Sequence, residues 1–198
     1  NTRHRILKDR RVRQALNYAV NKEAIIRDIL KGTAIVARGP MSPVYGPYYE
    51  ENLQKYPHDP EKARALLKEA GHAGGFDITF MVPESGSGMQ SPVEMATVIQ
   101  ANLAQVGVRA KIQTMEWGAY LKKYLEAPDM AEMSWNPSIG DPDHMMYMLL
   151  SSERFPPAFN AGFYENPKVD ELLKKGRTTI DDKDRIPLYK EAQKLVVE

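Results

Sequence analysis

At 198 residues the chain is long enough to bury a sizeable core without disulfides or metal, and fits one domain or a large piece of a bigger protein. Hydrophobic residues make up 42% and charged residues 27%, with 14 Pro and 13 Gly, a globular composition that argues against disorder. The 27 basic and 26 acidic residues nearly cancel to +1, so there is no electrostatic footprint for nucleic acid. The absence of Cys excludes a thiol nucleophile and a thiolate zinc site. No apolar run approaches the roughly 20 residues of a membrane span. The sequence begins at Asn1 rather than Met, so it reads as a mature or excised piece.

The first periodic segment runs from about Asp9 to Lys31, with Val12, Leu16, Ala19, Val20, Ile25, Ile26 and Ile29 near helical spacing. Gly32 stops it, and Asn21, before Lys-Glu-Ala, is a candidate cap that divides it into two helices. Residues 33–59 hold Pro40, Pro43, Gly46, Pro47 and Pro57 with Tyr45, Tyr48, Tyr49 and Tyr56 between them, an irregular segment whose aromatics favour order. Asp59-Pro60-Glu61 opens the next helix, since Asp caps, Pro suits the first helical position and Glu favours the positive end of the dipole. Strands are expected at 76–82, 108–115 and 130–135, with helices from about Pro92 to Val106 and Trp117 to Leu125 between them. This βαβ series predicts a parallel or mixed sheet covered by helices. The remainder reads as helical: about Pro142 to Leu150, Pro167 to Gly176 and Asp184 to Val197.

Three constellations bear on chemistry. The loop Ser85, Gly86, Ser87 and Gly88 follows a strand and precedes a helix, where open α/β sheets bind ligands. Its glycine spacing is neither a Walker loop nor a dinucleotide fingerprint, and glycines flanking Ser87 directly do not make a nucleophile elbow. Asp141, Asp143 and His144 form the one cluster resembling a metal site, but Asp before Pro is also a normal helix N-cap. Trp135 lies at the end of the third expected strand and reads either as a ligand-facing indole or as a core residue. Trp117 reads as packing. No paired carboxylates and no Ser/His/Asp set can be assembled, so a binding module is favoured over an enzyme.

Several ordered blocks resemble the peptide/nickel-type solute-binding proteins of ABC importers. They are Asp9 to Ile25 (DRRVRQALNYAVNKEAI), Gly32-Thr33, Tyr56 to Gly71 (YPHDPEKARALLKEAG), Ile99 to Val108 (IQANLAQVGV), Trp117-Gly-Ala-Tyr-Leu, Trp135 with Gly140-Asp-Pro-Asp, and Tyr164 to Leu173 (YENPKVDELL). The resemblance implies an α/β periplasmic-binding-protein-like lobe, a mixed sheet flanked by helices. It implies that residues 1–198 make a single ligand-binding lobe, the carboxy-terminal one of a two-lobe protein. It further implies a periplasmic or membrane-tethered protein without cofactor or catalytic residue, acting as a monomer and handing a peptide-like solute to a membrane permease. Many peptide binders of this kind carry an aspartate three residues after the tryptophan, where this chain has Ser138. Dipeptide binders place an arginine in the loop after the first strand, where an ungapped match puts Gly86. A plain dipeptide is therefore disfavoured, because a charge buried without its partner costs several kcal/mol. The stretch Trp135 to Asp141, with Phe155-Pro-Pro-Ala-Phe-Asn160 and Phe163-Tyr164, looks closer to glutathione-binding members, with Ser138 and Asn160 offering neutral hydrogen bonds. The expected ligand-binding residues are Trp135, Ser138, Ser85, Gly86, Ser87, Gly88 and Asn160. The alternatives are a hydrolase or metal-dependent enzyme on Asp141, Asp143 and His144, or a nickel, haem or sugar binder on the same scaffold.

Overall fold

The computed structural model describes residues 1–136 and 139–198. They form two compact units, Asn1–Val36 with Tyr56–Ser134, and Ala37–Lys55 with Trp135–Glu198. None of the described helices is long and apolar enough to cross a membrane.

The first unit is an α/β layer. Helix α1 (Arg10–Ala19) starts where the Asp9 carboxylate accepts the Arg11 N–H, and buries Val12, Ala15, Tyr18 and Ala19. Asn21 breaks the helix as expected: its side chain caps the short α2 (Lys22–Ala24), and a π-helical turn, Ile25–Ile29, follows. Asp59 caps α3 (Pro60–Glu69) through the Lys62 N–H, with Pro60 in the first turn. Strand β1 (Phe76–Pro83) leads through α4 (Pro92–Gln105) to β2 (Val108–Met115), and α5 (Trp117–Tyr124) leads to β3 (Met130–Ala131). The strand order is β2-β1-β3 and both pairings are parallel. Central β1 is the most buried strand, and Phe76, Ile78, Phe80 and Val82 join Val12, Leu67, Leu103 and Val108 in one core.

Strand β3 is shorter than the run 130–135 read from the sequence. In a parallel ladder alternate residues of β1 face β3, so after Met81, which accepts the Glu132 N–H at 3.1 Å, the next donor would be residue 83. Pro83 has no N–H. The carbonyl of Glu132 is instead taken by the Tyr120 hydroxyl, and the ladder ends.

The second unit is helical. It contains α6 (Pro142–Leu150), α7 (Pro167–Thr178) and α8 (Asp182–Val197), capped by Asp141, Asn166 and Asp181. The proline- and tyrosine-rich segment is ordered because it belongs to this unit. It forms a 3-10 turn, Pro43–Tyr48, kinked at Gly46, and supplies Met41 and Tyr45 to a core with Met146, Tyr147, Val169, Leu172, Leu173, Tyr189 and Ala192. Buried Gln193 fastens the same segment, donating to the Tyr48 carbonyl at 2.7 Å and accepting the Glu50 N–H at 3.3 Å.

Candidate functional site

The carboxyl end of β1 delivers the chain into the loop singled out by the sequence. Ser85, Ser87 and Gly88 are exposed and Gly86 is half-buried. The turn is closed by the Met89 N–H donating to the Gly86 carbonyl at 3.1 Å. Gly88 takes the left-handed φ of +73° that a tight turn needs here. The Ser134 hydroxyl donates to the Ser87 carbonyl at 2.7 Å, tying the turn to the stretch after β3. At Gly86 a Cβ would lie 2.7 Å from two ring atoms of Trp117 and 3.0 Å from the Met89 sulfur. Any side chain at this position would have to displace the indole or the thioether.

Behind the loop stands an aromatic stack that the sequence reading did not assemble. Trp117 lies nearly parallel to Tyr120, with ring centres 5.6 Å apart, and Tyr120 stacks on Tyr124 at 6.2 Å. Their positions, three and four residues apart along α5, put them on one helix face, and that spacing was the available signal. Beside them Glu132 buries both carboxylate oxygens without a hydrogen-bond partner. Burial pushes its carboxyl up to about 7. Burial likewise pushes the Tyr120 hydroxyl well above its ordinary range, reinforced by Tyr124 and Glu132.

The other expected residues sit in the second unit or outside the described residues. Trp135 is half-buried: its ring meets Phe159 edge-on at 5.2 Å and His144 at 5.5 Å, and its Nε1–H is buried without an acceptor. Ser138 lies outside the described residues. Asn160 is 1% exposed, which is far from the ligand-facing position expected of it. Its side-chain NH2 donates to the Ser151 and Tyr164 carbonyls at 3.0 and 2.8 Å, and its carbonyl oxygen accepts the Tyr164 N–H at 3.0 Å. The amide braces the loop from inside and has little left to offer a solute. A polar residue in a loop looks alike in sequence whether it faces solvent or fastens backbone.

Asp141, Asp143 and His144 do not converge. Asp141 accepts the Asp143 N–H at 2.8 Å, as a cap should, and takes both Nη atoms of Arg185 at 2.8 and 2.9 Å. Burial pushes its carboxyl up, but the Arg185 fork outweighs that and holds it below the usual range. Asp143 is raised by burial despite Arg177 at 3.3 Å, and His144 packs on Trp135. Among the described residues no group of three acidic or histidine side chains is placed to hold a metal ion.

Comparison with known proteins follows the same lines. The family described as bacterial extracellular solute-binding proteins, family 5 (middle part), matches residues 1–157. A dipeptide-binding protein of Escherichia coli K12 is 39% identical over 196 residues, 98% of this chain and 36% of its own length. Heme-binding protein A of Haemophilus influenzae is 38% identical over 94% of this chain and 34% of its own length. A glutathione-binding protein of Salmonella typhimurium is 36% identical over 94% of this chain and 37% of its length. Among solved structures, a periplasmic binding protein of Helicobacter pylori in complex with the peptide STSA superposes with a TM-score of 0.93 at 34% identity, over 99% of this chain and 38% of that one. The chain thus spans little more than a third of the length of the relatives it matches. With most of its length matched by the family and its α/β layer shared with such a structure, the chain belongs to the family-5 bacterial extracellular solute-binding proteins.

Proposed function

We propose that this chain is one lobe, the carboxy-terminal ligand-binding lobe, of a two-lobe solute-binding protein that delivers a peptide or peptide-like solute to an ABC importer. The observation that carries the reading is similarity along almost the whole chain to a dipeptide-binding protein and to a protein solved with a bound tetrapeptide. The local geometry supports it: the 85–88 turn lies at the carboxyl end of the central strand, where α/β sheets receive ligands, and Trp135 presents a half-buried indole with an unused donor. In this reading the protein works outside the cytoplasm as a monomer, periplasmic or tethered to the membrane. It binds rather than transforms its solute, meets a permease as its protein partner and needs no cofactor. The occupation of Asp141 by a helix cap and an arginine fork speaks against the hydrolase alternative.

In this reading a peptide-like solute such as glutathione is favoured over a plain dipeptide, because Gly86 stands where the resemblance places the arginine that dipeptide binders use for the peptide carboxylate. Mass spectrometry of the solute that co-purifies with the full-length protein tests this directly. A peptide or glutathione is expected, and a haem, a nickel complex or a sugar in its place would overturn the proposal.

A further inference from the structure

We propose that Glu132 is a proton-operated latch on the 85–88 turn. While neutral it lets α5 pack on the end of β3 and wall the turn; once ionised it loosens that packing, so the solute is held more tightly in acid than at neutral pH. The conformational step goes beyond the proposed function, and its effect on the solute rests on reading the 85–88 turn as part of the binding site.

The parts are joined by direct contacts within the first unit. Glu132 follows β3, its N–H donating to the Met81 carbonyl of β1 at 3.1 Å. Its own carbonyl accepts the Tyr120 hydroxyl, which ties α5 to this stretch. Tyr120 is fully buried and lies nearly parallel to Trp117. Trp117 in turn stands against Gly86, where a Cβ would come within 2.7 Å of its ring. Two residues after Glu132, the Ser134 hydroxyl holds the Ser87 carbonyl at 2.7 Å. The turn is thus fastened to residues 132–134 twice, once directly and once through α5.

The Glu132 carboxyl is the misfit in this packing. Both its oxygens are buried, and among the described residues neither has a hydrogen-bond partner. From α5 the titratable groups on its side are Tyr120 and, through Tyr120, Tyr124, both hydroxyls raised by burial. Glu116 is occupied by the Gly118 and Ala119 N–H groups, and Lys123 by Glu126 at 2.6 Å. Lys122 on α5 and Glu84 after β1 are exposed. Asp129, just before β3, accepts the Thr79 N–H at 3.2 Å and lies 3.6 Å from His4. Burial alone therefore raises the Glu132 carboxyl, from 4.5 to about 7. An ionised carboxylate in such a place must find water or a donor. The hydroxyl at hand is that of Tyr120, which would have to leave the Glu132 carbonyl. Either route parts α5 from the strand end and draws Trp117 away from Gly86. Below about pH 4.5 the carboxyl is neutral in both arrangements, and the packed one is favoured. Between about 4.5 and 7 the open arrangement, where water reaches the carboxylate, loses its proton first. Each pH unit in that window raises the open fraction by up to about tenfold, and above about 7 there is no further gain.

The test is hydrogen–deuterium exchange of the full-length, unliganded protein from about pH 5 to 7.5, expressed as protection relative to an unstructured chain so that the intrinsic effect of pH drops out. Amides of α5 and the 85–88 turn should lose protection by at least about tenfold over this range, while those of α7 and α8 hold theirs. Glu132→Gln, which keeps the shape and has no proton to lose, should abolish the loss. If that variant does not fold, Glu132→Leu takes its place with the same expectation. Isothermal titration of glutathione and trialanine into the full-length protein should then give binding at least about threefold weaker at pH 7.5 than at pH 5.5, because affinity scales with the competent fraction. The difference should vanish in the variant. Equal loss of protection in wild type and variant, a loss shared by α7 and α8, or a wild-type affinity that ignores pH would overturn the proposal. Should neither peptide bind at either pH while α5 still loosens, the peptide reading fails and the latch stands.

Discussion

Glu132 and Asn160 are both buried polar side chains in stretches without regular structure, and they behave in opposite ways. Asn160 is saturated by three hydrogen bonds to backbone, each contributing on the order of 1 kcal/mol net. Asn160→Ala should therefore destabilise the protein by about 3 kcal/mol, read as a lower midpoint in denaturant, because it also strands the Ser151 and Tyr164 groups. A variant of unchanged stability but weakened solute affinity would return Asn160 to the ligand. Glu132 has no partner, and desolvation raises its carboxyl from 4.5 to about 7. Below about pH 4.5 the group is neutral in both folded and unfolded chains and has no effect on the balance. Between about pH 4.5 and 7 the unfolded chain loses its proton first, so stability falls as pH rises; above about 7 the deficit is constant at roughly 3 kcal/mol. Denaturant titrations from pH 4 to 8 should show this decline in the wild type, and Glu132→Gln should flatten it. An unchanged slope in the variant would mean that other groups set the pH dependence. The helix caps at Asp59, Asn21 and Asp141 were legible because a cap is local, whereas the fates of Asn160 and Glu132 depend on groups distant in the chain or on the absence of any.

Among the elements, β1, α4 and β2 could be read almost to the residue, since apolar periodicity defines them locally. The end of β3 could not, because it is decided by Pro83 on a different strand and by the Tyr120 hydroxyl. The start of the sheet has a similar non-local constraint. Gly75 has φ +72°, and a Cβ there would lie 1.8 Å from the carbonyl oxygen of Gly107, just before the first pair Phe76 and Val108. A side chain would have to adopt the left-handed region and push the two strand entrances apart. Gly75→Ala should cost about 2–3 kcal/mol or more, visible as a lower thermal midpoint, while a surface change such as Glu61→Ala should cost little. An unaltered midpoint in Gly75→Ala would mean that the two entrances can separate without loss.

At the scale of the whole chain the sequence was least informative about connectivity. The prolines and tyrosines of residues 33–59 mark an irregular segment, but nothing local says that Met41 and Tyr45 complete a core with residues more than a hundred positions later. Each unit nevertheless has a core of its own, one around β1 and one around α7 and α8, so the 198-residue chain should fold alone, with cooperative loss of its circular dichroism on heating. Binding is another matter. Small-ligand pockets typically bury about 70–90% of the ligand, whereas this chain spans only about a third of the length of its relatives. On the proposed two-lobe reading, a lone lobe would leave much of a peptide in water, and its contacts would have to offset the lost translational and rotational freedom without the opposite wall. Isothermal titration of glutathione or trialanine into the isolated chain should therefore give an affinity at least roughly tenfold weaker than for the full-length protein under the same conditions. Equal affinities would place the whole recognition site within these residues and remove the need for a second lobe.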